Sequence, residues 1–212
     1  MSRIIAIDGP AAAGKGTLAK RLAAHFGLPH LDTGLLYRAT GRRVLDAGGN
    51  PADPATAAAA ARALQPDDLA RADLRGPEAD NAAAQVAAIP AVRAALLDFQ
   101  RSFGRTQGAV LDGRDIGTIV FPDATAKLFV TASVAARGQR RWRELQARGV
   151  AADLEAVTAL IRERDAQDAA RAAAPLVQAP DALPLDTTDL DADATFARAL
   201  ELLSDRLGTP AR

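Results

Sequence analysis

Apolar Ile4, Ile5 and Ile7 run into Gly9 and Gly14, and Leu18, Leu22, Ala23 and Phe26 follow at helical spacing. The first run has the length and β-branched content of a buried strand; the second has the period of a helix packed by one face. The same two textures alternate along the chain. Strands are expected at Ile4–Asp8, Pro29–Leu31, Ala109–Asp112, Lys127–Thr131 and Leu183–Asp186. Helices are expected at Lys15–Phe26, Leu35–Ala47, Ala55–Leu64, Ala79–Ala88, Ala91–Phe103, Val134–Arg148, Leu154–Ala173 and Asp193–Leu207. Gly48-Gly49-Asn50-Pro51 stops one helix and Ile89-Pro90 separates two others. Strands alternating with helices predict an α/β fold around a five-stranded parallel sheet.

Two stretches leave this alternation. Asp32–Arg105 is a long helical insertion, and Arg137–Arg171 is an arginine-rich helical pair. Each begins after a strand, and functional loops of parallel sheets gather at the carboxyl ends of strands. The expected division is a core of residues 1–31, 106–136 and 172–212, an insertion at 32–105 and a lid at 137–171, within one domain.

The strand, loop and helix at the start carry the first chemical signal. Gly9-Pro10-Ala11-Ala12-Ala13-Gly14-Lys15 has the G-x-x-x-x-G-K spacing of a phosphate cradle. Glycines let backbone N–H groups turn towards an anion, and the helix adds the positive end of its dipole. Lys15 is placed to reach the outer phosphates of a nucleoside triphosphate. Gly16 follows it, so the hydroxyl comes one place later, at Thr17.

Three more segments add candidate chemistry. In Leu31-Asp32-Thr33-Gly34-Leu35-Leu36-Tyr37-Arg38, Asp32 or Thr33 is expected to cap the helix that follows. In Leu111-Asp112-Gly113-Arg114-Asp115, a carboxylate ends a core strand, where many phosphate-loop proteins hold Mg²⁺ directly or through water. Arg114 offers a planar fork suited to phosphate oxygens. Arg137, Arg140, Arg141, Arg143 and Arg148 fall in one helix, and Arg164, Asp168 and Arg171 share a face of the next at i, i+4 and i+7. A solvated, salt-bridged surface accounts for any one of these arginines. As a group after a phosphate loop they suit a closing lid.

Composition narrows the classes. At 212 residues the chain can bury one sizeable core. Net charge is zero, so no basic field holds nucleic acid, and no nucleic-acid partner is expected. There is no cysteine, which removes disulfides, thiolate metal sites and thiol nucleophiles. His25 and His30 are the only histidines, too few for a histidine-based metal site. No apolar run approaches the ~20 residues of a membrane span, and the start of the sequence carries the expectation of no leader ahead of the first strand. A cytoplasmic monomer with no membrane partner is expected.

Together these residues resemble the bacterial cytidylate kinases, within the nucleoside monophosphate kinases. The resemblance rests on IAIDGPAAAGKGTLAK, LDTGLLYR, NAAAQVAAIPAVR, LDGRDIGTIVFPDA and RERDAQDAARAAAPL, spread from residue 4 to about 178, with LDTT at 185–188. It implies a phosphate-loop three-layer fold and transfer of the γ-phosphoryl group of ATP to CMP or dCMP with Mg²⁺. By position, Gly9, Pro10, Ala11, Ala12, Ala13, Gly14, Lys15, Gly16 and Thr17 would hold the ATP phosphates. Arg140 and Arg141 would form the ATP side of the lid. Arg38, Arg114 and Arg171 would grip the acceptor phosphate, with Thr33 and Tyr37 in the same site. Arg93 and Asp115 would face the cytosine. Arg164 and Asp168 would lie near the sugar, Asp168 accepting from a ribose hydroxyl. Lys15, Arg114, Arg164 and Arg171 would compensate charge during transfer, and Thr17 and Asp112 would lie in the Mg²⁺ shell, Asp112 through water.

The chain departs from the family pattern twice. Ala84 stands where the family commonly carries a serine that bonds to cytosine. Losing one hydrogen bond costs about 0.5–1.5 kcal/mol, so cytosine preference is expected to soften without vanishing. Residues 65–76 occupy, in a dozen or so residues without strand alternation, the place of a small sheet found in many members. Another phosphate-loop kinase acting on AMP, UMP or a metabolite is the nearest alternative. A small GTPase switch would need an N-K-x-D guanine motif, which is absent. A single-strand-dependent ATPase would need aromatic stacking platforms that this chain lacks.

Overall fold

The structure is a computed structural model that describes residues 3–207. Its sheet consists of β1 (Ile4–Asp8), β2 (His30–Asp32), β3 (Ala109–Gly113), β4 (Ala126–Thr131) and β5 (Leu183–Asp186). They stand in the order β2-β3-β1-β4-β5, all parallel. Ile5 lies level with Val110 on β3 and Ala126 on β4. Every residue of β1 and β3 is buried, as expected for central strands covered on both faces.

The alternation along β1 divides the core. Ile5 and Ile7 point to a layer with Val110, Leu128, Val130 and Leu185, covered by Leu18 and Leu22 of α1 (Lys15–Phe26) and Leu203 of α8 (Ala192–Leu207). Ile4 and Ala6 point the other way, to Leu111. There they meet Leu36 and Val44 of α2 (Thr33–Asp46), Ala57 of α3 (Pro54–Arg62), Val86 of α4 (Pro77–Ala87), and Val92 and Leu96 of α5 (Pro90–Gln107). Helix, sheet and helix therefore form three layers. The period-2 side-chain direction of β1 requires both outer layers to be apolar on their inner faces. The remaining helices, α6 (Val134–Ala147) and α7 (Leu154–Ala170), follow β4 and pack on each other.

Local chemistry sets the helix ends. Asp53 accepts the Thr56 N–H at 2.7 Å ahead of Pro54 at the first helical position. Ser133 caps α6 through Ala136 and Asp153 caps α7 through Ala156. Helix α7 stops at Ala170 rather than at the expected Ala173. Arg171 leaves helical geometry (φ −58°, ψ 128°), and Pro175 downstream has no N–H to continue the ladder. Residues 65–76 form two short 3₁₀ turns, Pro66–Ala70 and Ala72–Leu74, and no strand. A π turn at Ile116–Val120, which periodicity did not suggest, follows β3.

Candidate functional site

The carboxyl ends of β1 and β3 open onto a cleft of about 880 Å³. One wall is the phosphate loop, residues 11–17; facing it are Thr33, Tyr37, Arg38, Arg93, Arg114, Asp115, Arg141, Arg164 and Arg171. Gly9 begins the loop at φ 147°, and a Cβ there would sit 1.9 Å from the Val130 carbonyl oxygen, so only glycine fits. Ala12 is held at φ 58°, a left-handed conformation that costs a non-glycine residue about 1–2 kcal/mol. Gly14 opens α1 with no side chain capping it, which leaves the first-turn N–H groups available to an anion.

Lys15 is buried and donates from Nζ to the Pro10 carbonyl at 2.6 Å. Burial, joined by the Arg114 charge, lowers its ammonium to a pKa of about 7, and Asp112, Asp8 and Asp168 offset part of that.

Behind the facing wall, and not itself lining the cleft, Asp168 is wholly buried and accepts from three arginines. Arg114 Nε lies 2.6 Å away, Arg164 Nε 3.3 Å, and Arg171 completes the set. Burial alone would raise the Asp168 carboxyl; the Arg114, Arg164 and Arg171 charges outweigh it and hold the carboxyl below its ordinary value. Burial likewise lowers Arg164 and Arg171. Arg114 spends Nε on Asp168, so its terminal nitrogens remain directed elsewhere. The i, i+4, i+7 face expected of α7 therefore forms, although Arg171 reaches it from just past the helix end.

Arg93 and Asp115 pair directly, both nearly buried, and the Arg93 guanidinium lies 5.6 Å from the centre of the Tyr37 ring. Burial pushes the Tyr37 phenol up to about 12. Asp115 stands at the entrance of the π turn. The next two N–H groups, of Ile116 and Gly117, go to the two carboxylate oxygens of Asp8 at 2.8 and 2.7 Å. Asp8 is buried at the end of β1, and desolvation raises its carboxyl to about 6 against the pull of those two N–H groups.

One expectation of the sequence is corrected, and one unassigned residue gains a partner. Neither Asp32 nor Thr33 caps α2: no side chain bonds at that helix start. The Thr33 hydroxyl instead donates to the Asp112 carbonyl at 2.8 Å, which ties the start of α2 to the end of β3. His30, to which the sequence gave no role, bonds through Nε2 to Asp112 Oδ1 at 2.7 Å. No local signal marks that contact, because the partners are 82 residues apart.

The arginines of α6 separate. Arg141 lines the cleft and bonds to Asp80 and Glu144. Arg140 lies away from the cleft lining, on Thr187 and the Leu190 carbonyl beyond β5. Arg137, not singled out for the donor site, bonds the Ala11 carbonyl at 3.3 Å and is anchored on Asp165 at 2.7 and 2.9 Å. Arg38 bonds by Nε to Asp80 at 2.9 Å.

Among the described residues no group of three His, Asp or Glu forms a ready metal cage. Asp112 has one oxygen on His30, and its other faces the loop, where a Cβ on Gly16 would lie 3.9 Å from Oδ2. Thr17 is exposed in the first turn of α1. A carboxylate oxygen facing the loop and a hydroxyl in the first turn of α1 are oxygen donors of the kind a small hard cation takes, with its other ligands from phosphate and water.

Comparison with known proteins converges on one family. A sequence model described as cytidylate kinase matches residues 5–205. The chain is 65% identical over 203 residues to a cytidylate kinase of Granulibacter bethesdensis, covering 96% of this chain and 97% of the relative. It is 61% identical over 210 residues to one of Paramagnetospirillum magneticum, covering 97% of this chain and 100% of the relative. Among solved structures, an uncharacterized protein from Eubacterium ventriosum superposes with a TM-score of 0.55 at 13% identity, over 97% of this chain and 100% of that one. That likeness concerns the fold alone.

Proposed function

The chain belongs to the cytidylate kinase family, and from that premise we infer its reaction: it transfers the γ-phosphoryl group of ATP to CMP or dCMP, giving ADP and CDP or dCDP. The observation that carries the residue assignments is the facing of the phosphate loop by a set of arginines organised on one buried carboxylate, Asp168.

The loop from Gly9 to Thr17 receives the ATP phosphates, with backbone N–H groups and the α1 terminus supplying the positive potential. Lys15 becomes an ammonium against them. Arg38, Arg114 and Arg171 hold the acceptor phosphate, and Thr33 and Tyr37 shape that subsite. Arg93 and Asp115 meet the cytosine, Asp115 accepting from its exocyclic amine. Arg164 and Asp168 lie at the sugar. Asp168 has roughly four lone-pair positions, three of them on arginines, and because it is wholly buried a ribose hydroxyl would reach the fourth only after those arginines shift on nucleotide binding. The acceptor oxygen needs no strong general base, because a phosphate monoester has its second pKa at about 6 and is anionic at neutral pH. The protein's work is therefore alignment and charge compensation.

Thr17 and, through water, Asp112 would hold Mg²⁺, which would neutralise charge on the ATP phosphates. Arg141 serves the donor side of the lid, with Arg140 behind it. The division into core 1–31, 106–136 and 172–212, insertion 32–105 and lid 137–171 belongs to the same reading. So does a cytoplasmic monomer whose partners are free nucleotides. No single helix among the described residues is long and apolar enough to cross a membrane.

Steady-state kinetics of Arg171→Ala and Asp115→Ala test the residue assignments. Arg171→Ala should lower kcat/KM for CMP by at least about a hundredfold. Asp115→Ala should raise the KM for CMP and leave that for ATP near the parent value. Near-parent activity in both, or a defect confined to ATP, contradicts the assignments.

A further inference from the structure

Asp80, in α4, joins groups that the sequence keeps far apart. Its Oδ1 accepts from Arg38 Nε of α2 at 2.9 Å, and its Oδ2 accepts from Arg141 of α6 at 2.6 Å. Its backbone carbonyl accepts from Arg164 of α7 at 2.9 Å. One residue thus links a helix of the acceptor insertion to both helices of the lid. The three arginines and Asp80 all line the cleft.

The way each group is used matters. Arg38 gives Asp80 only Nε, so both terminal nitrogens remain free to form a fork on an anion. Arg141 gives Asp80 one terminal nitrogen and Glu144 the other, so it is held between α4 and its own helix. Without the Asp80 carboxylate, Arg38 would lose its carboxylate partner and Arg141 would keep only Glu144, leaving two guanidinium groups close together between α2 and α6. Like charges placed so would hold the insertion and the lid apart. The pairs are only partly exposed, with side-chain exposures of 29% and 30% for Arg38 and Asp80, and 20% for Arg141. Their attraction is therefore screened less than at an open surface.

We propose that Asp80 is a positioning residue that aims Arg38 at the acceptor phosphate and couples acceptor binding to donor binding through Arg141. The inference rests on the reading that Arg38 meets the acceptor phosphate and Arg141 the donor side. CMP that orders Arg38 also orders Asp80, and with it the lid arginine. By reciprocity an ATP-bound lid favours CMP to the same degree.

The test measures CMP affinity by calorimetry with and without a non-hydrolysable ATP analogue, together with steady-state KM and kcat. In the parent protein the analogue should tighten CMP binding by about fivefold or more. In Asp80→Asn, which keeps the shape and loses the charge, that factor should fall towards one. The KM for CMP should rise about fivefold, with kcat at saturation within about twofold of the parent. Asp80→Glu keeps the charge and should retain most of the coupling. If Asp80→Asn is unfolded at the assay temperature, salt replaces it: raising ionic strength from about 0.05 M to about 0.5 M in the parent should shrink the coupling factor.

Unchanged coupling in folded Asp80→Asn, or salt-independent coupling in the parent, overturns the proposal. So does an equal loss in Asp80→Asn and Asp80→Glu, which marks a packing role. Arg38→Ala separates the two levels of the reading. If it leaves the KM for CMP unchanged, the acceptor-phosphate assignment fails. If it raises that KM while Asp80→Asn does not, only the role of Asp80 fails.

Discussion

Lys15 should take up a proton when ATP binds, and the amount follows from its surroundings. Its ammonium is buried against one carbonyl, and burial with the Arg114 charge lowers its pKa from 10.5 to about 7 in the ligand-free protein. The unfolded chain therefore binds more protons than the native one between those two values. Lys15 contributes a penalty at low pH, and stability gains on the order of 5 kcal/mol as pH rises through that window. Phosphates in the loop reverse the balance by giving the ammonium an anionic partner and returning its pKa towards the ordinary range. At about pH 8 the free protein carries ~0.1 proton on Lys15 and the complex carries ~1, an uptake of ~0.9 proton per ATP. At about pH 6 the uptake falls to ~0.1. Calorimetric titrations with ATP in buffers of different ionisation enthalpy give the proton count as a slope. Lys15→Met gives the baseline, because it removes the amine and leaves the protons of ATP itself. A parent-minus-variant difference of about 0.9 at pH 8, shrinking towards pH 6, is expected. A difference near zero at pH 8 would show that Lys15 is already charged in the free loop and would refute the reasoning.

Other perturbations follow from the same contacts. The raised pKa of Asp8, about 6 against 3.8, means that the native state binds the extra proton between those values. Its contribution to stability therefore declines by about 3 kcal/mol as pH rises through that window. Asp8→Asn removes this decline, so urea midpoints of parent and variant should diverge between about pH 4 and about pH 7, and parallel profiles would contradict the assignment. A Cβ at Gly41 would sit 2.7 Å from the Ala82 Cβ and 3.0 Å from its backbone carbon, where α2 meets α4. Gly41→Ala should cost about 1–3 kcal/mol of stability by thermal melting, while a Gly14→Ala control meets no neighbour and reports backbone strain alone.

Much of this arrangement could be read from the chain. The strand Ile4–Asp8 and the helix Lys15–Phe26 have the limits expected of them, because their signals are local: β-branched residues, bounding glycines and a 3.6-residue period. Five strands and their parallel order follow from the same alternation. Arg38, Arg93, Arg114, Arg141, Arg164 and Arg171 do meet Asp112 and Asp115 around one cleft, whereas Arg140 and Asp168 do not line it. What could not be read depends on contacts between distant segments. Asp8 looks like the polar end of a strand until Ile116 and Gly117 arrive on it, more than a hundred residues later. Thr33 looks like a helix cap because its neighbours fit one, yet its hydroxyl goes to a strand 79 residues away. Asp80 is one of two acids in an alanine-rich helix, and its meaning appears only with Arg141, 61 residues on. A single sequence shows which residue types are present; pairings of this range require the fold.

The central claim is that the cleft takes ATP on one side and a cytidine monophosphate on the other. It is tested most directly by diphosphate formation from ATP and each of CMP, dCMP, UMP and AMP. The account predicts that CMP and dCMP are used with kcat/KM about a hundredfold or more above AMP. UMP should be the nearer competitor, because Ala84 lines the cleft without a hydroxyl. A kcat/KM for AMP equal to or above that for CMP would contradict it.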